Sequence, residues 1–185
     1  MLSPRLIERM GSVPMNPVGE LLTLDDIRLD LDVSTKAQLL EQVAALLATR
    51  NGLSEKFILE SLTAREQLGS TGVGHGVAIP NARMNQCAVA AGVFVRTKAA
   101  IPFDAPDGKP VSVFLGLIVP NKAAELHLQI LATAAGMLGD RNFRDKLKTC
   151  TDASVVKELL AAWPDTPSVL ASVTVPNPER PTTCD

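Results

Sequence analysis

Hydrophobic and polar residues alternate along this chain with two different periods, and the switch between them predicts strands alternating with helices. Ile27, Leu29, Leu31 and Val33 fall on every second position, as in a strand with one buried face. The spacing then changes to three and four: Leu39, Leu40, Val43, Leu46 and Leu47 predict a helix over 36–50. Thr35 with Gln38 forms a capping-box start for it, and Asn51 with Gly52 a stop. A second helix is predicted over 55–66, capped by Ser54, with Phe57, Ile58, Leu59 and Leu62 as its apolar side and Arg65 in its last turn. Apolar runs at 88–95 and 111–119, bounded by turn-like segments such as APDG at 105–108, predict central strands, and 77–79 a short one. Three more helices are predicted at 123–137, 140–147 and 153–163. Helices before, between and after strands define an α/β fold: a mixed β-sheet flanked by helices.

The 185 residues suit one domain with a full core rather than two. The expected layout is an N-terminal extension over 1–20, with Met15 an alternative start, a domain over 21–163, and a flexible tail over 164–185. Five prolines, Pro164, Pro167, Pro176, Pro178 and Pro181, oppose regular structure in that tail. With 46% apolar and 21% charged residues the chain has the composition of a folded globular protein. A net charge of -2, with Lys and Arg scattered, argues against a nucleic-acid partner. No apolar run reaches the roughly 18 residues of a spanning helix, and the N-terminus lacks a signal-peptide core, so no membrane insertion and a cytoplasmic location are expected. Cys87, Cys150 and Cys184 are odd in number and far apart, which implies neither a disulfide framework nor a metal site.

Residues 69–76 read GSTGVGHG, too rich in glycine for a regular element. The spacing Gly72, Gly74, Gly76 is not the G-x-G-x-x-G of dinucleotide folds, no G-K-[ST] follows, and a strand rather than a helix comes next. A nucleotide site is therefore not expected. An anion nest for a small molecule is the reading that needs no family relationship.

The longer segment AREQLGSTGVGHGVAIP, residues 64–80, resembles the signature of fructose- and mannitol-type enzyme IIA domains of the bacterial phosphotransferase system. The resemblance runs from about 21 to 163 and includes AELHLQIL, residues 124–131. The wording of the glycine-rich part is closer to the nitrogen-regulatory branch. In that family the residue after Ala-Ile-Pro is a histidine that takes a phosphoryl group from a histidine-phosphorylated carrier protein; here it is Asn81. An imidazole nitrogen has an in-plane lone pair that can attack phosphorus, whereas the Asn nitrogen lone pair is delocalised into the carbonyl. Position 81 is therefore expected not to carry a phosphoryl group.

The resemblance implies roles for several other residues. Arg65 matches the active-site arginine, whose guanidinium can hold phosphate oxygens in pairs. His127 matches the second active-site histidine, near the start of a helix that favours an anion. Ser70, Thr71, Gly72, Gly74, His75 and Gly76 form the loop expected beside a phosphate, and Val73, Val77, Ile79 and Pro80 an apolar docking face. Taken without the resemblance, Arg65 is a solvated charge, His127 a structural histidine, and Asn81 a turn residue after proline. The function implied is that of a regulatory binding module fixed in the unphosphorylated state. Its expected partners are the carrier and targets such as potassium-transport or sensor-kinase proteins, and it needs no cofactor. The alternative is an active phosphocarrier that uses His75 or His127, or a His-to-Asn variant of a competent one.

Overall fold

A computed structural model describes residues 16–164. Most of the expected N-terminal extension, Met15 included, and the proline-rich tail beyond 164 lie outside the described residues. Along the chain come α1 (Pro17–Leu21), a 3-10 turn (Leu24–Asp26), β1 (Ile27–Leu31), α2 (Lys36–Asn51) and α3 (Glu55–Gln67). Four strands of two to eleven residues follow: β2 (Gly72–Gly74), β3 (Val77–Ala78), β4 (Asn81–Met84) and β5 (Ala91–Ile101). The chain then runs through β6 (Val111–Pro120), α4 (Ala124–Gly139), α5 (Arg141–Thr149) and α6 (Ala153–Ala162).

The sheet is mixed, as expected for the fold class. β5 and β6 pair antiparallel at its centre, with Val93 opposite Gly116 and Phe94 opposite Leu115. β1 runs parallel to β5 on one side. On the other side both β3 and β4 run parallel to β6, β3 at Val113 and Phe114 and β4 at Leu117 to Pro120, while β2 closes the edge antiparallel to β3. Helices cover both faces, which is why β5 and β6 read as near-continuous apolar runs rather than alternating ones. On one face Leu39, Val43, Leu47, Ile58 and Leu62 of α2 and α3 pack on Val93, Val95, Phe114 and Ile118. On the other, Val18, Ile130, Met137, Leu147 and Leu160 of α1, α4, α5 and α6 pack on Phe94, Val113, Leu115 and Leu117. Each fully buried aliphatic side chain contributes about 1.5–3 kcal/mol. Gly116 sits where α2 crosses the sheet, and a Cβ there would lie 2.5 Å from Val43 Cγ1. The absent side chain is what allows the close approach.

Several local expectations are corrected. The N-terminal boundary lies earlier than residue 21: Asn16 caps α1 by accepting from Gly19 N at 2.9 Å, and its Nδ2 donates to the carbonyls of Leu160 at 2.8 Å and Trp163 at 2.9 Å. Residues 16–20 thus belong to the folded unit, tied to the last turn of α6. Over 27–33 the alternation does not describe one face. A bulge between Arg28 and Leu31, with Asp30 at φ 56°, sends Ile27 and Leu29 to one core and Leu31 and Val33 to the other. Phe57, assigned to the apolar side of α3, is 51% exposed. Ser54 makes no capping bond, and the Gln38 side chain accepts from Ser34 N rather than from Thr35. The glycine-rich segment is not irregular throughout, because β2 and β3 form a small hairpin with His75 at its tip.

Candidate functional site

Three elements converge beside the C-terminal end of β6 to form an open cleft of about 800 Å³. α3 supplies Ser61, Arg65 and Leu68, β4 supplies Asn81 and Arg83, and the β6–α4 junction with α4 supplies Asn121, Ala124, His127 and Leu128. Asn81 is placed by the sheet: it stands opposite Leu117 of β6, and Leu117 N donates to the Pro80 carbonyl at 2.8 Å. It is therefore a strand residue with 5% exposure, not a turn residue.

The Asn81 side chain has a definite orientation. Its Nδ2 donates to the Ile79 carbonyl at 2.7 Å, and since a carbonyl can only accept, Oδ1 is left facing His127 Nε2 at 3.2 Å. His127 is half-buried in α4, with its backbone N–H bonded to the Ala123 carbonyl. Burial first, and then the guanidiniums of Arg83 and Arg65, push its imidazolium pKa below the ordinary value. The ring is consequently neutral near pH 7, and the acceptor at Asn81 assigns its proton to Nε2. Arg65 Nη1 donates to the Gly69 carbonyl at 3.0 Å and otherwise faces the cleft.

The structure thus brings together Arg65, Asn81 and His127. It does not bring the glycine-rich loop to them. Ser70 Oγ donates to the Phe103 carbonyl at 2.7 Å, and Thr71 donates through both N and Oγ1 to the buried Glu66 carboxylate. Gly72 packs against Ala105. His75 N donates to Asp107 Oδ2 at 2.8 Å, and Lys148 Nζ donates to the His75 carbonyl at 2.9 Å, pinning the hairpin around Gly74 and Gly76 to its neighbours. These residues line no part of the cleft. Their link to it is indirect: the Thr71 carbonyl accepts from Ile79 N at 2.9 Å and so fixes the residue whose carbonyl orients Asn81.

The expected docking face also fails. Val77 and Ile79 are 0% and 4% exposed and Pro80 is buried, because this segment lies inside the sheet; only Val73 reaches the surface. The apolar rim of the cleft is instead Leu68, 87% exposed, and Leu128, 68% exposed. Arg83 was equally absent from the sequence-based site. It stands two residues after Asn81 on one strand, a spacing that returns a side chain to the same side, so the signal was present once β4 was known to be a strand.

Position 81 is thus buried, anchored in the sheet and facing a neutral histidine, in a cleft on a mixed α/β sheet that Arg65, Arg83 and the start of α4 also line. Residues 20–163 match the family described as phosphoenolpyruvate-dependent sugar phosphotransferase system, EIIA 2, and the chain belongs to that family. Within it, the chain is similar to the nitrogen regulatory protein of Bradyrhizobium diazoefficiens, 36% identical over 150 residues that cover 81% of this chain and 98% of the relative. It is also similar to the crystal structure of nitrogen regulatory protein IIA-Ntr from Neisseria meningitidis, with TM-score 0.75 and 43% identity over 77% of this chain and 98% of that one. The mannitol IIA of Escherichia coli, solved in complex with phosphorylated IIB, shares the fold with TM-score 0.67 at 20% identity, over 76% of this chain and 96% of that one.

Proposed function

We propose that this member of the EIIA family works as a regulatory binding protein that takes no phosphoryl group at position 81. The observation that carries this reading is the Asn81 side chain, held by the Ile79 carbonyl and facing His127 at 3.2 Å. An amide in that place can donate and accept hydrogen bonds but has no free nitrogen lone pair to form a bond to phosphorus. Groups that would stabilise a phosphoryl group in transit, Arg65, Arg83 and the start of α4, line the same cleft.

Its partners are a histidine-phosphorylated carrier protein and regulated targets of the potassium-transport or sensor-kinase kind, met in the cytoplasm. The Leu68 and Leu128 rim is the contact surface, apolar at its centre with Arg65 and Arg83 beside it. Among the described residues no helix is long and apolar enough to cross a membrane. Binding at this surface then escapes the phosphorylation control that a histidine at position 81 would impose.

The test is intact-mass analysis after incubation with phosphoenolpyruvate, enzyme I and the carrier, for this protein and for Asn81→His. The expected result is a gain of about 80 Da only in Asn81→His. A gain in the unsubstituted chain, located at His127 or His75, overturns the proposal in favour of an active phosphocarrier.

A further inference from the structure

Arg65 and Glu66 are neighbours on α3, about 100° apart around the helix axis, and so face different sides of it. Arg65 enters the cleft, whereas Glu66 lines a groove of about 520 Å³ between α2 and α3, together with Lys36, Leu40, Leu59 and Asp104. The Glu66 side chain is buried and engaged on both oxygens. Oε1 accepts from Lys36 Nζ at 3.0 Å, both oxygens accept from Thr71 N, and Oε2 accepts from Thr71 Oγ1. Lys36 is itself held, by Asp104 Oδ2 at 2.7 Å and by the Phe103 ring, whose centroid lies 4.6 Å from Nζ. From this fixed carboxylate a continuous series of hydrogen bonds leads into the cleft. The Thr71 carbonyl accepts from Ile79 N at 2.9 Å, the Ile79 carbonyl accepts from Asn81 Nδ2 at 2.7 Å, and Asn81 Oδ1 faces His127 Nε2 at 3.2 Å. A shorter branch runs through the turn after α3, where Gly69 N donates to the Glu66 carbonyl at 3.2 Å and the Gly69 carbonyl accepts from Arg65 Nη1 at 3.0 Å.

We infer that Glu66 is a positioning residue for the cleft: from outside it, through Thr71 and Ile79, it sets the orientation of the side chain at position 81 and with it the proton of His127. This goes beyond the proposed function, because the route is the same whether position 81 holds Asn or His. Each link constrains the next. A carboxylate only accepts, so the Thr71 N–H and hydroxyl both point at it, and the conformation of Thr71 is fixed just before β2 begins. Its carbonyl is thereby presented to Ile79 N, so the residue whose own carbonyl orients Asn81 is held from the Glu66 side. Hydrogen bonds to a charged, buried acceptor are the strong ones, since a partner left unpaired there cannot turn to water. The same hairpin has a second tie that lies off this route: the exposed Asp107 accepts from His75 N at the tip, at 2.8 Å. A tether that merely steadies the hairpin would act alike at either point; a positioning residue acts on the cleft only from Glu66.

The experiment follows the Asn81 side-chain amide and the His127 ring by NMR in the full chain, with urea unfolding of each variant beside it. Thr71→Val removes one donor to Glu66 and is expected to speed exchange of the Asn81 Nδ2 protons with water by about tenfold and to shift the His127 ring signals. Thr71→Ser keeps the hydroxyl and is expected to restore both. Glu66→Ala is expected to act more strongly than Thr71→Val, and Glu66→Gln less, because a Gln carbonyl still accepts from Thr71 N while the Thr71 hydroxyl turns to accept from the Gln amide. Asp107→Ala is expected to leave the Asn81 and His127 signals unmoved. In the Asn81→His background the same step is read as transfer from the phosphorylated carrier: Thr71→Val is expected to lower kcat about tenfold at unchanged KM, and Thr71→Ser to restore it. Unmoved Asn81 exchange or an unmoved kcat in Thr71→Val overturns the inference, as does an Asp107→Ala effect of equal size. If Glu66→Ala does not fold, the two Thr71 variants decide it. If Asn81→His takes no phosphoryl group, the test of the proposed function has failed and the NMR arm decides this inference by itself.

Discussion

His127 Nε2 stands 3.2 Å from Asn81 Oδ1, and the same Asn81 side chain donates through Nδ2 to the Ile79 carbonyl at 2.7 Å. The backbone therefore dictates the polarity of whatever occupies position 81. In Asn81→His the ring atom closest to the place of Asn Nδ2 is Nδ1, which is expected to carry the proton and bond Ile79, leaving the Nε2 lone pair free in the cleft. Nitrogen-15 chemical shifts of the imidazole distinguish the tautomers. A ring protonated on Nε2 would show that the Ile79 carbonyl does not orient this position.

Removal of Arg83 is expected to raise the pKa of His127. Burial is the largest cause of its depression, followed by Arg83 and then Arg65, so Arg83→Gln raises the value more than Arg65→Gln and neither restores it fully. Between the folded pKa and the ordinary value of 6.5 the unfolded chain binds the extra proton, so stability rises with pH across that window and falls on acidification. Arg83→Gln narrows the window. Proton NMR titration of His127 gives the shift, and urea melts on either side of pH 6.5 give the slope.

Leu68→Ser combined with Leu128→Ser is expected to weaken carrier binding by about tenfold or more while leaving the unfolding midpoint nearly unchanged, since both side chains are already largely in water. Val73→Ser, on the β2–β3 hairpin away from the cleft, is expected to leave affinity unaltered. Calorimetric titration of the three proteins decides it; a Val73 effect equal to that of the leucines would move the docking surface back to the hairpin.

Asn16→Ala is expected to cost about 2–4 kcal/mol, because one fully buried side chain both caps α1 and satisfies carbonyls at the end of α6. Urea unfolding measures the loss. A change below about 0.5 kcal/mol, the range of ordinary surface substitutions, would mean that the α1–α6 clamp adds nothing to stability.

The periods of the apolar residues carried most of the secondary structure. All five long helices and β6 stand close to where spacing put them, because an amphipathic helix and a doubly buried strand each leave a local pattern. β5, expected over 88–95, runs instead from Ala91 to Ile101, its partly exposed end past Arg96 having no apolar run to mark it. β2 and β4 escaped because they are too short for periodicity to separate from turn: β2 contains two glycines, and β4 begins right after Pro80. Asp30 escaped because a bulge changes the face of a strand without changing its spacing.

For the site, the sequence by itself determined that position 81 is an amide without a nucleophilic nitrogen, which is covalent chemistry that a chain states directly. That Arg65 and His127 go with it was implied only by the resemblance to enzyme IIA domains. Only the tertiary structure decided that Arg83, Leu68 and Leu128 share the cleft, that the glycine-rich hairpin does not, and that Val77, Ile79 and Pro80 lie inside the sheet. Exposure depends on what packs against a residue, and here the partners are distant in sequence: Asn81 meets a histidine 46 positions away, and Asn16 a carbonyl 144 away. Such neighbours are chosen by how the elements bury their faces together, a condition on the whole chain that no short stretch of it contains.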